Sequence, residues 1–170
     1  MYNPLEKFKE IETIICDVDG VLTNNQVFTT EEGELLRSFN VKDGYAIKKA
    51  IQAGIRFFAI TGGRSQGVKI RLDQLGFTEV HLGISNKLLT YEKLVEEYEL
   101  DEGKILYMGD DVPDYKVMRR VGLPACPQDA AIEVMDIALY ISPFRGGDGC
   151  ARDVIEKMLR IQEKWPRMQT

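Results

Sequence analysis

Six short runs rich in Val, Ile and Phe constrain the fold more than any other feature of the chain: Thr13–Cys16, Arg56–Ile60, Glu79–Leu82, Ile105–Met108, Leu123–Cys126 and Ala138–Ile141. Most are dominated by apolar residues and too short for a buried helix, as expected of strands covered on both faces. Between them apolar residues recur at helical spacing. Ile47, Ala50 and Ile51 form one stripe, Val68, Leu72 and Leu75 a second, Leu88, Tyr91, Val95 and Tyr98 a third, and Ala151, Val154, Ile155, Met158 and Leu159 a last. This alternation predicts an α/β fold built on a Rossmann-like, doubly wound parallel sheet. With 170 residues, 44% of them hydrophobic, the chain is expected to form one domain over 1–170 with a substantial core.

One segment breaks the alternation. Gln26–Thr30 and Glu34–Phe39 flank Glu31-Glu32-Gly33, and two β-prone arms about a glycine turn predict a hairpin over about 26–39, projecting after the first strand. Val27, Thr29, Leu35, Arg37 and Phe39 alternate along it. So small a unit cannot bury its own apolar groups, so the hairpin is expected to dock on its own domain or on a neighbouring subunit.

Charge and cysteine usage exclude several classes. A net charge of −5 with Lys and Arg dispersed along the chain disfavours nucleic-acid binding. No apolar run approaches the roughly 20 residues of a membrane helix, and MYNPLEKFKEIE lacks the apolar core of a secretory leader, so the chain reads as cytoplasmic. Cys16, Cys126 and Cys150 are odd in number and widely spaced, which fits packed thiols better than a disulfide framework or a zinc site. The lone His81 falls in a strand and reads as structural. Trp165 before Pro166 marks the expected end of the last helix.

Ligands of an open parallel sheet bind beyond the carboxyl ends of its strands, and four such ends here carry chemistry. The first strand runs into Asp17-Val18-Asp19, and the second into Thr61-Gly62-Gly63-Arg64. The third leads to Gly83-Ile84-Ser85-Asn86-Lys87 and the fourth to Gly109-Asp110-Asp111-Val112-Pro113-Asp114. Asp17, Asp110 and Asp111 together would repel unless a cation lay between them, and a hard oxygen set suits Mg²⁺. Thr61 and the amides of Gly62 and Gly63, read as a helix start, can hold a phosphate, and Lys87 can neutralise it. One carboxylate of Asp17-Val18-Asp19 can then attack phosphorus while the other handles the leaving-group proton. Each piece has an ordinary reading when taken alone: a turn, a solvated lysine, or an acidic cap on a helix Val112–Val121.

Taken together, DVDGVLT (17–23), Thr61 of AITGG, Lys87 and GDDVPD (109–114) resemble the four motifs of the haloacid dehalogenase superfamily of phosphotransferases. The resemblance implies Asp17 as nucleophile, Asp19 as acid/base, and Thr61 and Lys87 as phosphoryl ligands. It implies Mg²⁺ held by Asp17, the backbone carbonyl of Asp19 and Asp110, with Asp111 and Asp114 in support. The segments between motifs leave no room for a cap domain. Within the superfamily, SFNVKDGYAI (38–47), AITGGR (59–64), ISNK (84–87) and YMGDDVPD (107–114) are similar to the capless 3-deoxy-D-manno-octulosonate 8-phosphate phosphatases. That likeness implies a Gram-negative setting, a sugar-acid phosphate substrate used for lipopolysaccharide, and a homotetramer assembled through the hairpins. Phosphatases of nine-carbon sialic-acid-like 9-phosphates are close relatives and remain an alternative.

Gly62, Arg64, Asn86, Ser85, Lys42 and Asp43 are candidates near the sugar or a subunit contact. The run Arg145-Gly146-Gly147-Asp148-Gly149 departs from the family's GGRG by carrying Asp148, with Arg145 or Arg152 as candidate substitutes. Two other classes compete. A receiver-type signalling domain needs its phosphoacceptor after a later strand than the first, and a non-catalytic oligomeric scaffold has no use for a costly acidic cluster.

Overall fold

The computed structural model describes residues 4–166; the first three residues of the amino-terminal segment read above lie outside it. A short helix α1 (Pro4–Lys7) and a 3₁₀ turn lead into strand β1 (Thr13–Cys16). After it come the hairpin strands β2 (Phe28–Thr29) and β3 (Leu35–Leu36), then α2 (Val41–Gln52), β4 (Arg56–Ile60), α3 (Gln66–Leu75), β5 (Glu79–His81) and α4 (Lys87–Glu97). The remainder is β6 (Ile105–Met108), α5 (Tyr115–Met118), β7 (Leu123–Cys126), α6 (Ile132–Met135), β8 (Tyr140–Ile141) and α7 (Cys150–Ile161).

The main sheet runs β5-β4-β1-β6-β7-β8 with every pair parallel. Winding proceeds outward from β1 in one direction through β4 and β5, then restarts beside β1 with β6. The crevice at that reversal is where an α/β sheet binds ligands. Cys16 pairs with both Ala59 and Met108, so Asp17, Thr61 and Asp110 leave the sheet at nearly one level.

Both faces are packed. Ile14 and Cys16 of β1 point into one apolar cluster with residues of α2, α3 and α7, whereas Ile15 points into the other, with Tyr91, Val117 and Val134 of α4, α5 and α6. This period of two across a doubly covered sheet is why the strands read as apolar runs. Helices α2, α3 and α4 start at Asn40, Ser65 and Asn86, whose side chains accept from Lys42 N, Val68 N and Leu89 N, meeting amides that have no partner within the helix.

Several boundaries differ from the sequence reading, the shortest change being β5, which ends at His81 and leaves out Leu82. In place of a helix over Val112–Val121 there is a 3₁₀ turn, Val112–Asp114, and then the four-residue α5. Asp111 and Asp114 bond reciprocally to the backbone of that turn, which competes with a regular helical start. The last helix ends at Ile161, ahead of Trp165, because Gln162 Nε2 turns inward to donate to Phe8 O and Ile11 O. Trp165 folds back beneath the Arg152 guanidinium, 4.6 Å above its ring. Finally, β8 loses Ala138 and Leu139, the Ala138 N–H bonding to Val134 O and Met135 O at the end of α6.

The hairpin ladder is only two pairs long, Phe28 with Leu36 and Thr29 with Leu35. Val27, Phe28, Leu35 and Leu36 are exposed, Phe28 to 62%. At its foot, Phe39 packs on the larger core cluster. All three cysteines are free and buried, and His81 Nε2 lies 2.8 Å from Glu79 at the sheet edge. No helix among the described residues is long and apolar enough to cross a membrane.

Candidate active site

Beyond the ends of β1 and β6, four charged side chains are buried together: Asp17, Lys87, Asp110 and Asp114. Lys87 opens α4, and its Nζ donates to Asp114 Oδ1 at 2.7 Å and lies 2.6 Å from Asp17 Oδ2. Asp114 Oδ1 also accepts from Tyr107 OH at 2.7 Å, and its Oδ2 from the amides of Asp110 and Asp111 at 3.1 and 3.4 Å. With both oxygens spoken for, Asp114 is a brace. Asp17 Oδ1 accepts from Val18 N. Asp110 Oδ1, in contrast, is buried with no partner among the described residues.

Three carboxylates with ligand oxygens within 4.8 Å of one another share the single ammonium of Lys87. Burial, then Asp114, pushes the Asp17 carboxyl up to about 7 against the pull of Lys87. Burial, then Asp17 and Asp114, pushes Asp110 up to about 8. Burial works to lower the Lys87 pKa but is outweighed by Asp114 and Asp17, so it stands above its ordinary value. An orphaned buried oxygen amid excess negative charge is the chemistry of a hard divalent cation site. Gly20 fits this account: its φ is +89°, and a Cβ there would lie 2.0 Å from Asp110 Oδ2, so only glycine lets the backbone after Asp19 approach that carboxylate.

Asp19 belongs to a different environment. The guanidinium of Arg37, on the hairpin's return arm, donates through Nε to Asp19 Oδ1 at 2.6 Å and through Nη2 to Oδ2 at 3.0 Å. Asp19 in turn raises the Arg37 pKa. Sequence reasoning placed Arg37 in the hairpin's alternation and missed this pairing. The available signal was a charge on the side shared with Phe39, where a cation needs a partner.

Thr61 is buried, and its Oγ1 accepts from Gly63 N at 3.1 Å. The loop after β5 braces this turn through Gly83 N to Gly63 O and Ile84 N to Thr61 O. No acceptor among the described residues meets the Gly62 amide. Contrary to the sequence reading, Gly62 and Gly63 precede the helix: α3 starts at Gln66 and is capped by Ser65. Arg64 lies along Gly83 and makes no ion pair among the described residues. Between the hairpin and this turn opens a cavity of about 700 Å³, lined by Leu35, Arg37, Gly62, Gly63, Arg64 and Ser65 among others.

No family sequence profile matches the chain. Individual proteins do. The 3-deoxy-D-manno-octulosonate 8-phosphate phosphatase KdsC of Yersinia pestis is 35% identical over 160 residues, 94% of this chain and 86% of the relative. The Escherichia coli K12 protein of the same name is 36% identical over 94% of this chain and 85% of its own length. The chain belongs to this phosphatase family, within the haloacid dehalogenase superfamily. A solved member from Moraxella catarrhalis, in complex with magnesium ion, phosphate ion and KDO, superposes with a TM-score of 0.92 at 30% identity, covering 95% of this chain and 93% of that one.

Within the family frame, the remaining candidates divide. Asp111 is exposed and caps the 3₁₀ turn by accepting from Val112 N at 2.8 Å, while Asn86 Oδ1 caps α4. Asp43 is buried on α2 and accepts from Arg152 N at 2.7 Å at the start of α7. Arg145 lies 3.4 Å from Asp129 with its side chain largely exposed, whereas Arg152 pairs with Glu156 and stacks on Trp165. The glycines of that run have a packing reason. A Cβ on Gly146 would lie 1.9 Å from Gly20 O, and one on Gly147 2.4 Å from Asn24 N, so the run seats directly on the loop that carries Asp19. The receiver reading fails on topology, since such domains share the 2-1-3-4-5 strand order and this sheet reads β5-β4-β1-β6 across its centre.

Proposed function

We propose that this protein is a Mg²⁺-dependent phosphatase that hydrolyses 3-deoxy-D-manno-octulosonate 8-phosphate to the free sugar acid and phosphate, in lipopolysaccharide precursor synthesis. One observation carries the mechanism: Asp17 and the orphaned Asp110 Oδ1 are buried at a strand-end crevice with too little positive charge of their own. Asp17, the backbone carbonyl of Asp19 and Asp110 would hold Mg²⁺, with Asp111 and Asp114 supporting them. The ion supplies the charge that lets a carboxylate meet a phosphoryl group.

The chain's own groups do the rest. Lys87 Nζ, Thr61 Oγ1 and the Gly62 amide donate to the phosphoryl oxygens. An oxygen of Asp17 bonds to phosphorus as the bond from phosphorus to the sugar oxygen breaks, and that oxygen takes the proton of Asp19. Water then attacks phosphorus and gives its proton to the Asp19 carboxylate; the bond to Asp17 breaks and phosphate leaves. Arg64 and the Asn86 amide face the sugar-acid portion, Arg64 as a cation unspent on the protein.

We further read the chain as one capless catalytic domain over 1–170, cytoplasmic, and tetrameric through the hairpin. The exposed Val27, Phe28, Leu35 and Leu36 support assembly, because four large apolar side chains on a two-pair ladder have no core of their own to join. The nine-carbon 9-phosphates form the second reading, favoured by the departure at Asp148.

Phosphate release with Mg²⁺ from the eight-carbon 8-phosphate, a nine-carbon sugar-acid 9-phosphate and simple hexose phosphates tests the assignment. A large kcat/KM preference for the eight-carbon ester is expected. Preference for another acid would keep the mechanism and move the substrate, and no release from any would revive the scaffold reading.

A further inference from the structure

Arg37 is the one arginine of the described residues that spends both arms of its fork on a carboxylate of the proposed reaction machinery. Two bonds, 2.6 and 3.0 Å, fix both oxygens of Asp19, and Nη1 lies 3.3 Å from Leu35 O on its own arm. The guanidinium is therefore committed on all three nitrogens, and its side chain is 6% exposed. A planar fork on a carboxylate sets rotation as well as position. Asp19 has few other restraints, since Thr23 Oγ1 is 3.5 Å from Oδ1 and the side chain is 28% exposed. The pair lies over Gly63, where a Cβ would come within 3.3 Å of both Arg37 Nη2 and Asp19 Oδ2, so the glycine turn leaves room for the fork.

We propose that Arg37 is a positioning residue for the phosphatase reaction: it aims the Asp19 carboxylate at the leaving oxygen, and so makes the hairpin a working part of the active site. Each Asp19 oxygen has two lone pairs, so the one spent on Arg37 leaves another to face the reaction. The fork differs in kind from Arg64, which has no ion-pair partner among the described residues and is placed to meet substrate. This inference rests on the phosphatase reading and adds a residue to it.

The test exploits the leaving group. A sugar alkoxide must be protonated as it departs, whereas nitrophenolate leaves without a proton, so a misplaced acid harms the first far more than the second. Arg37→Met and Arg37→Lys are compared with the unaltered protein in Mg²⁺, on a sugar-acid phosphate and on p-nitrophenyl phosphate, with acid-quenched phosphoenzyme measured alongside. For Arg37→Met, kcat on the sugar ester is expected to fall roughly 10- to 100-fold with KM changed less than about threefold, less than the roughly 10²- to 10⁴-fold of losing general-acid action outright, because the acid is misaimed and not removed. The loss in the first-turnover release of nitrophenol is expected to be at least tenfold smaller, and Arg37→Lys is expected to restore part of the sugar-ester rate.

Equal losses in the first-turnover cleavage of the two esters, or a rise in KM with kcat held, would overturn the inference, the latter by making Arg37 a substrate ligand. If the unaltered protein cleaves both esters and Arg37→Met matches it, the inference alone fails. If the unaltered protein cleaves neither, the phosphatase reading and the inference fail together. A melting temperature for each variant separates local effects from loss of fold.

Discussion

The two carboxylates of Asp17-Val18-Asp19 sit two residues apart and live in different worlds. Asp17 is rooted at the end of a central strand, buried with Lys87, Asp110 and Asp114 and paired with a Lys87 ammonium that Asp114, itself held by Tyr107, fixes in place. Asp19 is held by one arginine of a hairpin whose ladder has two residue pairs and whose apolar arms are exposed. The division follows the demands of the steps. Covalent attack on phosphorus needs a desolvated, rigid nucleophile with compensating charge, which only the sheet can supply. Proton transfer to a departing alcohol must occur where substrate enters, at the rim. Removing one member of a buried pair costs about 3–5 kcal/mol, so the inner half cannot be tuned cheaply, whereas the outer half can.

The sharpest break in this comparison is Asp17→Asn. Turnover is expected to fall by roughly 10⁴-fold or more, the scale seen when a covalent nucleophile is lost. The fold should hold, because Lys87 keeps its pair with Asp114, so no buried charge is left alone, and burial already disfavours the Asp17 carboxyl as an anion. Phosphate release and the melting temperature measure the two arms, and appreciable residual activity would assign the nucleophile elsewhere. Asp19→Asn comes next, with a loss of about 10²- to 10⁴-fold. Here phosphoenzyme should form or persist while its breakdown slows, so unchanged steady-state rates would remove the acid/base role.

The inner half was the more legible from sequence, for a physical reason. Strands buried on both faces announce themselves as apolar runs, and whatever follows each run must emerge at one sheet edge, so Asp17, Thr61, Lys87 and Asp110 were readable as neighbours. What stayed hidden was how acids of one motif divide their work. The resemblance gave Asp111 and Asp114 one supporting role, yet Asp114 is buried and accepts from Lys87, Tyr107 and two amides while Asp111 is exposed, a division that spacing does not reveal. The outer half depends on a contact across 18 residues between a loop and a hairpin. Alternation places Arg37 on a side but names no partner for it. The helix expected over 112–121 failed for the same reason, since periodicity does not register side chains that bond their own backbone.

Metal and pH probe the inner half with a smaller effect. Asp17 and Asp110 titrate near about 7 and 8 in the folded protein without metal, far above their unfolded value of about 3.9. The folded state thus holds more protons than the unfolded one, and metal-free stability should fall as pH rises from about 4 toward 8. Mg²⁺ competes with those protons, so its stabilisation should grow with pH. At 100 times its dissociation constant it is worth about 2.7 kcal/mol, roughly 5–11 °C in melting temperature for a chain of this size. Calorimetry with and without Mg²⁺ at pH 6 and pH 8.5 decides the point: equal increments at both would mean the cation does not bind these carboxylates.

The smallest expected effect on the isolated fold comes from Phe28→Ser, on the outgoing arm of the hairpin. Phe28 is exposed in the single chain, so its loss should change the stability of one subunit by no more than about 0.5 kcal/mol. Its effect on assembly should be larger, because an exposed aromatic at an interface carries more of the energy than its neighbours. Light scattering should show a lower mass at concentrations where the unaltered protein is assembled, and an unaltered mass would make the hairpin a local feature. The two halves then meet in one readout. If assembly steadies the hairpin and the hairpin aims Asp19 through Arg37, loosening its arms should lower kcat on the sugar ester more than the first-turnover release of nitrophenol, the pattern expected of Arg37→Met. A drop in mass with the two esters equally affected would separate assembly from the acid/base, leaving Arg37 to act within its own subunit.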